Sequence, residues 1–252
     1  MLASLAEAAA VLDRPDWLAA AVANGEFLVR ELRGPDGRWR RSWQADPGEP
    51  GRARHDALAA DHAALLEAFL ALASASGQAR WVTEARDVAD AMLDRFWDAE
   101  QGGLFTAAVD ATELIARQKD LMDNATPSAN SMAANGLLRL AVVTGESRYA
   151  HHAEQILRLA GAAMGQAPSA FSHLLAAVDQ RRAGTTEIVV TGNRPDLVHA
   201  ARQRYLPNAV TVWGERFDSP LWEGRADGLA YVCRHYACRA PVDSPEALVA
   251  EL

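Results

Sequence analysis

The sequence predicts a mainly α fold, an incomplete ring of helical hairpins followed by a small C-terminal βαβ-like unit. Three observations predict it. Long Ala- and Leu-rich segments repeat apolar residues at intervals of three and four, the helical period. Their connectors alternate, tight within a hairpin and long between hairpins, which favours a ring over a bundle with uniformly short loops. A weak repeat also recurs, as Asp13-Arg14-Pro15-Asp16-Trp17, Gly77-Gln78-Ala79-Arg80-Trp81 and Gly145-Glu146-Ser147-Arg148-Tyr149. Its aromatics stand 64 and 68 residues apart (81 − 17 and 149 − 81), enough for a helix pair and one long loop.

In chain order, Leu2, Leu5, Ala9 and Leu12 share one face of a first helix. Pro15 suits a helix first turn, and Trp17, Ala21, Asn24, Leu28 and Leu32 continue a second. Gly34-Pro35-Asp36-Gly37 stops it with turn chemistry. A short aromatic and polar stretch, Arg38 to Gln44, leads into a Gly/Pro-rich loop through about Arg54. Helices are expected over Leu58–Ser74, Arg80–Phe96, Ser128–Val143, Ser147–Ala163 and Ser169–Ala183. The long connectors, Gly34 to Ala57 and Trp97 to Thr126, then lie at one end of the ring. After Gly184 the pattern changes to a strand (Glu187–Thr191), a helix (Pro195–Tyr205) and a second strand (Ala209–Trp213). A helix-like stretch over Gly228–Cys238 precedes a Pro-bounded tail. The expected division is residues 1–184 for the helical hairpins and 185–252 for the βαβ-like unit and C-terminal helix packed on them.

Composition excludes several classes. Charged residues make up 23% of the 252, too few for disorder, and no apolar run approaches the roughly 20 residues that cross a bilayer. The apolar N-terminus lacks a basic leader and carries Glu7, so it reads as a helix of the fold. A net charge of −8 without a basic stripe argues against nucleic acid. Cys233 and Cys238, if helical, stand about 7.5 Å apart by helical rise, too far for a relaxed disulfide. Two reduced thiols in a cytoplasmic protein are expected, and no cofactor or metal.

The densest polar segment is Arg117 to Ser131, in a long loop entering an apolar helix. Loops on rigid scaffolds are where sites concentrate. Arg117, Lys119, Asp120 and Asp123 put both charge signs within a few residues, a set able to bind a polyol or hold a general acid/base carboxylate, or to pair internally and pin the loop. Lys119 is the one Lys among 25 basic residues, which suggests that a compact ammonium is required there. Pro127 and Ser128 mark a helix start, with Asn130 and Ser131 pointing inward or capping it. Asp61 and His62 lie together on an apolar helix, but adjacent helical residues do not face each other, and a satisfied core His is the plainer reading of His62. Asp61, Lys119, Asp120 and Asp123 are the expected catalytic residues. His62, Arg117, Asn124, Ser128 and Asn130 are the expected ligand-binding ones. Thr191-Gly192-Asn193-Arg194 offers weak support for an anion at a helix N-terminus.

These residues also carry a family likeness. Arg117-x-Lys119-Asp120, then Asp123-Asn124-Ala125-x-Pro127-Ser128-Ala129-Asn130-Ser131, resembles the RxKD..DGAxPSGNS signature of bacterial YyaL-like and animal spermatogenesis-associated thioredoxin-like proteins. Further matches lie at Phe96-Trp97-Asp98 with Gly102-Gly103-Leu104-Phe105, at Leu137 to Ala141, and at Tyr231-Val232-Cys233 to Cys238-x-x-Pro241. The resemblance implies a thioredoxin-like domain followed by an α/α-toroid of the six-hairpin glycosidase class, related to N-acylglucosamine 2-epimerases. This chain resembles the toroid part only. It has Asn124 and Ala129 where the pattern has Gly, and His62 in place of an aromatic. The implied activity is epimerase- or glycosidase-like, in carbohydrate metabolism. The alternatives are a non-catalytic binding scaffold and a truncated product without activity of its own. Expected partners are a small polar or sugar ligand, and either a second copy through the truncated flank or a thioredoxin-like domain, with no nucleic acid and no membrane.

Overall fold

The structure is a computed structural model that describes residues 1–111 and 114–252. Helices α1 (Leu2–Val11) and α2 (Pro15–Leu32) form the first hairpin, α3 (Ala59–Ser76) and α4 (Arg80–Phe96) the second, and α5 (Ala129–Thr144) and α6 (Ser147–Gln166) the third. A 3-10 turn at Pro168–Phe171 leads into α7 (Ser172–Ala183). The helices α1, α3, α5 and α7 pack side by side as an inner layer, while α2, α4 and α6 each back their own hairpin partner as an outer layer. This is an α/α-toroid left open, the arrangement that alternating short and long connectors require.

The first core lies between the two layers. Leu66, Phe69 and Leu72 of α3 meet Trp81, Val88 and Met92 of α4, joined by Leu137 and Leu140 of α5 and by Tyr149 and Ile156 of α6. Phe69 and Trp81 stack with ring centroids 5.6 Å apart. Truncating Trp81 to Ala would cost about 3–5 kcal/mol from lost transfer and the cavity left behind. The repeat seen in the sequence has a physical basis here. Arg14, Arg80 and Arg148 each lay their guanidinium over the repeat aromatic, at 4.4, 4.3 and 4.2 Å from the ring centres of Trp17, Trp81 and Tyr149. Such cation–π stacks hold a start for each outer helix, while the Trp81 and Tyr149 rings fill core and Trp17 stays partly exposed.

The mouth is built from the long connectors. Strands β1 (Arg40–Gln44) and β2 (Arg52–Asp56) form an antiparallel hairpin where the sequence suggested only a polar stretch and loop. Residues 97–128 form the second connector, and both enter inner helices at their N-termini.

After Ala183 the chain becomes a four-stranded sheet, ordered β4-β3-β5-β6. Strand β3 (Thr186–Val190) and strand β4 (Ala209–Val212) are parallel and joined by helix α8 (Pro195–Arg202), the expected βαβ unit. Strand β5 (Ala230–Arg234) pairs antiparallel with β3, and β6 (Ala237–Cys238) with β5. The terminal helix α9 (Pro245–Glu251) follows. Val189, Val210 and Val212 of one sheet face, with Trp222 of the 3-10 turn at Pro220–Trp222, pack with Val82 and Val143 of the toroid. Gly77 and Gly145, both left-handed at the C-termini of α3 and α5, receive this unit: a Cβ would lie 3.0 Å from the Trp213 ring at Gly77 and 2.7 Å from Pro220 at Gly145.

Two expectations are corrected. Gly228–Cys238 is not helical. Ala230, Tyr231, Val232 and Cys233 are buried on both faces of the sheet, and His235 and Tyr236 adopt positive φ to make the two-residue turn of a hairpin. That hairpin sets Cys233 opposite Cys238, and the two form a disulfide. The helical rise that separated the sulfurs does not apply across a strand pair, so these are not reduced thiols.

Candidate functional site

The charges of the Arg117–Ser131 segment are largely committed to holding the mouth together. Lys119 donates to Asp98 at 2.7 Å and to the Gly102 carbonyl at 2.6 Å. Arg117 donates to the Ala107 carbonyl at 3.0 and 3.1 Å and to that of Arg95 at 3.3 Å, with its guanidinium 4.1 Å above the Phe105 ring. Asn130 clamps the buried backbone of Leu104, accepting from its N–H at 2.7 Å and donating to its carbonyl at 3.0 Å, and donates to the Asp120 carbonyl at 2.8 Å. Ser128 caps α5 by accepting from the Ser131 N–H at 3.1 Å. Asp120 and Asn124 are exposed, and Asn124 does not take the left-handed conformation.

Asp123 ties two elements. One carboxylate oxygen accepts from the Ser128 N–H at 2.9 Å; the other accepts from the N–H groups of His173 and Leu174 at 2.8 and 3.4 Å. Burial works to raise its pKa, but these donors and the Ser131 hydroxyl outweigh burial and hold it below the usual carboxylate range. Asp61 accepts from the Leu58 N–H at 2.8 Å at the first turn of α3, with Arg41 at 3.8 Å. His62 points the other way. It is 2% exposed, its ring packs on Phe96 with centroids 4.9 Å apart, and Nδ1 meets the Leu58 carbonyl at 2.9 Å. Burial pushes its pKa below the ordinary value, so it is a neutral core imidazole.

The expected residues therefore divide. Arg117 and Lys119 border an outward cleft of about 610 Å³ with Trp97, Asp98 and Phe105. Asp123 belongs instead to the inner layer, where the chain brings together residues the sequence reasoning missed. Glu67 of α3 and His173 of α7 meet at 3.0 Å between Oε1 and Nε2, although 106 positions separate them. Both side chains keep partial exposure, 26% and 33%. Asn135 of α5 donates to the His173 and Ser131 carbonyls at 2.8 and 2.9 Å. The bond to Glu67 raises the His173 pKa against burial, helped by the Asp123 charge. One signal was available. Ala60, Ala64, Glu67, Ala71 and Ser74 form a stripe of small or polar residues along one face of an otherwise apolar helix, the mark of a helix whose second face lines a cavity.

Further along the inner layer lies a chamber of about 820 Å³, lined by Asn135, Arg139, Ala71 and Ala176 and floored by residues 202–213; Glu67 and His173 do not line it, and Asn135 links the two. Elsewhere, Arg194 is paired with Asp196 at 2.6 Å, and Asp227 crowds Gly192, so the Thr191–Arg194 turn meets a carboxylate where an anion was expected. Among the described residues no cluster of His, Cys, Asp and Glu suits a metal, and no helix is long and apolar enough to cross a membrane.

The open α/α-toroid is a glycosidase-like fold. The comparisons agree on that class. Residues 42–162 match the Glycosyl hydrolase family 76 model. The unsaturated glucuronyl hydrolase of Bacillus sp. GL1 shares the fold, with a TM-score of 0.50 and 21% identity over 63% of this chain and 43% of that one. The chain is similar to spermatogenesis-associated protein 20 of Homo sapiens, 28% identical over 268 residues, and to that of Rattus norvegicus, 26% identical over 266. Each match covers 97% of this chain and 34% of the relative, so the chain spans about a third of the length of the curated relatives it matches. The likeness carried by the Arg117–Ser131 motif thus extends over nearly the whole chain.

Proposed function

We propose that this chain supplies the saccharide-handling toroid of a longer, thioredoxin-domain-containing protein, acting in an epimerase- or glycosidase-like way at its concave face. The observation that carries this reading is the Glu67–His173 pair. An imidazole with a raised pKa beside a carboxylate, both partly exposed, can hold and return a proton at one ring nitrogen, as general acid–base chemistry on a sugar needs. Asp123 and Asn135 fix the backbone of His173 and act as positioning residues. Lys119, proposed from sequence as a catalytic group, supports the mouth in this reading.

The test is calorimetric titration of the purified chain with neutral sugars, sugar acids and sugar phosphates, with turnover followed by proton NMR. Binding that weakens at least tenfold in His173→Gln and Glu67→Gln, while Lys119→Met retains it, supports the proposal. No binding at millimolar sugar by a folded chain overturns it.

A second reading is a non-catalytic scaffold for a ligand or protein. The hydrogen bonds that consume Arg117, Lys119 and Asn130 favour it, and it predicts sugar binding without turnover. Association with a thioredoxin-like domain or a second copy belongs to the same proposal. Val11 and Leu12 are exposed at the end of α1, where such a partner would pack.

A further inference from the structure

The chamber that Asn135 shares with the inner layer holds a guanidinium with little to do. Arg139 follows Asn135 by one turn on α5 and lines the chamber. It makes no ion pair among the described residues. Its Nη2 reaches only the Pro207 carbonyl, at 3.5 Å, and its Nε is shut from solvent without an acceptor. A buried donor left without an acceptor keeps its full desolvation penalty, so such a group calls for a partner.

The other guanidinium held deep in the chamber is already engaged. Arg202 caps the end of α3 by donating to the Ser74 and Ala75 carbonyls at 3.1 and 2.8 Å, and stacks on Trp213. The carboxylates nearby are Glu7, Asp179 and Glu215. Asp179 accepts from Asn208 at 2.6 Å, and Glu215 from the Ala79 N–H at 2.9 Å. Arg204 also borders the chamber, but it is exposed, so Arg139 is the guanidinium whose buried donor lacks a partner and an anion placed there would satisfy it. Arg also matches a carboxylate in its planar, two-donor geometry. On the segment that floors the chamber, Tyr205 is 91% exposed, an aromatic face with a polar tip.

We infer that the chamber binds an acidic sugar, its carboxylate on Arg139 and its ring against Tyr205. This rests on the saccharide reading of the same face and names its substrate class.

The experiment is calorimetric titration with sodium glucuronate, glucose and glucose 6-phosphate. The expected result is glucuronate bound at least tenfold more tightly than glucose. Arg139→Gln should remove that preference, a loss of about ten- to a hundredfold for a charge-assisted pair. Tyr205→Ala, at a fully exposed position that folding does not depend on, should weaken glucuronate about fivefold. Arg158→Gln, on the outer helix α6, should change nothing. Should Arg139→Gln fail to melt cooperatively, Arg139→Lys and Tyr205→Ala carry the test. Equal binding of glucose and glucuronate overturns the inference while the saccharide reading stands, and so does tightest binding of glucose 6-phosphate. Glucuronate held through Arg139 but indifferent to His173→Gln and Glu67→Gln keeps the inference and removes the proton pair. No binding of any of the three overturns both.

Discussion

Replacing Asp123 by Asn tests whether the motif loop is a structural clasp. The carboxylate joins the start of α5 to the start of α7 through three backbone donors, two of them at 2.8 and 2.9 Å and the third a weaker 3.4 Å. Asparagine keeps one acceptor oxygen and turns an NH2 toward the other donors, so one short charge-assisted bond is lost outright. Such bonds contribute roughly 1.5–3 kcal/mol, and partial exposure places the loss near 2 kcal/mol. For a chain of this length that is a fall in Tm of about 4–8 °C. The folded pKa of Asp123 is depressed, so its contribution is full above the unfolded value of about 3.9 and disappears as pH falls through the folded value. Differential scanning calorimetry at pH 7 and again near pH 3 reads both effects. A Tm difference below 1 °C at pH 7, or one that stays undiminished in acid, would refute the clasp.

Other outcomes follow from the same geometry. The folded pKa of His173 is raised, chiefly by Glu67, so the pair stabilises fully below about pH 6.5 and loses that contribution as pH rises through the folded value. Chemical denaturation of His173→Gln against the parent should therefore show a gap at pH 5.5 that closes in alkali; a gap independent of pH contradicts this. Gly77→Ala forces a side chain into φ +67° and toward the Trp213 ring at 3.0 Å, so a loss of about 1–3 kcal/mol is expected in urea unfolding, falling to the left-handed strain alone, about 1 kcal/mol, if the C-terminal unit is not docked there. Reducing Cys233–Cys238, or substituting both by Ser, opens a small loop and should cost about 2 kcal/mol; an unchanged denaturation midpoint under reductant would show that the hairpin does not need the bond.

Much of the helical part was legible because period and punctuation agree. Pro15 and Leu32 bound α2, and Arg80 and Phe96 bound α4, as expected from the sequence. Short connectors at Gly77 and Gly145 follow from left-handed glycine caps. The β1–β2 hairpin was obscured by its polar, arginine-rich strands, which lack a buried face. The β5–β6 hairpin was misread because Ala230 to Cys233 is buried throughout, and a continuous apolar run does not distinguish strand from helix. That error carried the cysteine geometry with it.

The site was less legible. The dense charges of Arg117 to Asp123 drew attention, yet charge density near a long loop serves equally to anchor it, and partners such as Asp98 and the Gly102 carbonyl lie outside the motif. Glu67 and His173 come together only when α3 and α7 both pack on α5; the stripe on α3 marks the face of Glu67, but no local spacing points to His173.

The most direct test of the central claim is to map where a sugar contacts the folded chain by amide chemical-shift perturbation, using whichever sugar binds in calorimetry. The account predicts shifts at His173, the Asn135 side-chain amide and the Ala64–Ala71 stripe. Shifts confined to Ala99, Gln101 and Phe105 around the outward cleft would contradict it.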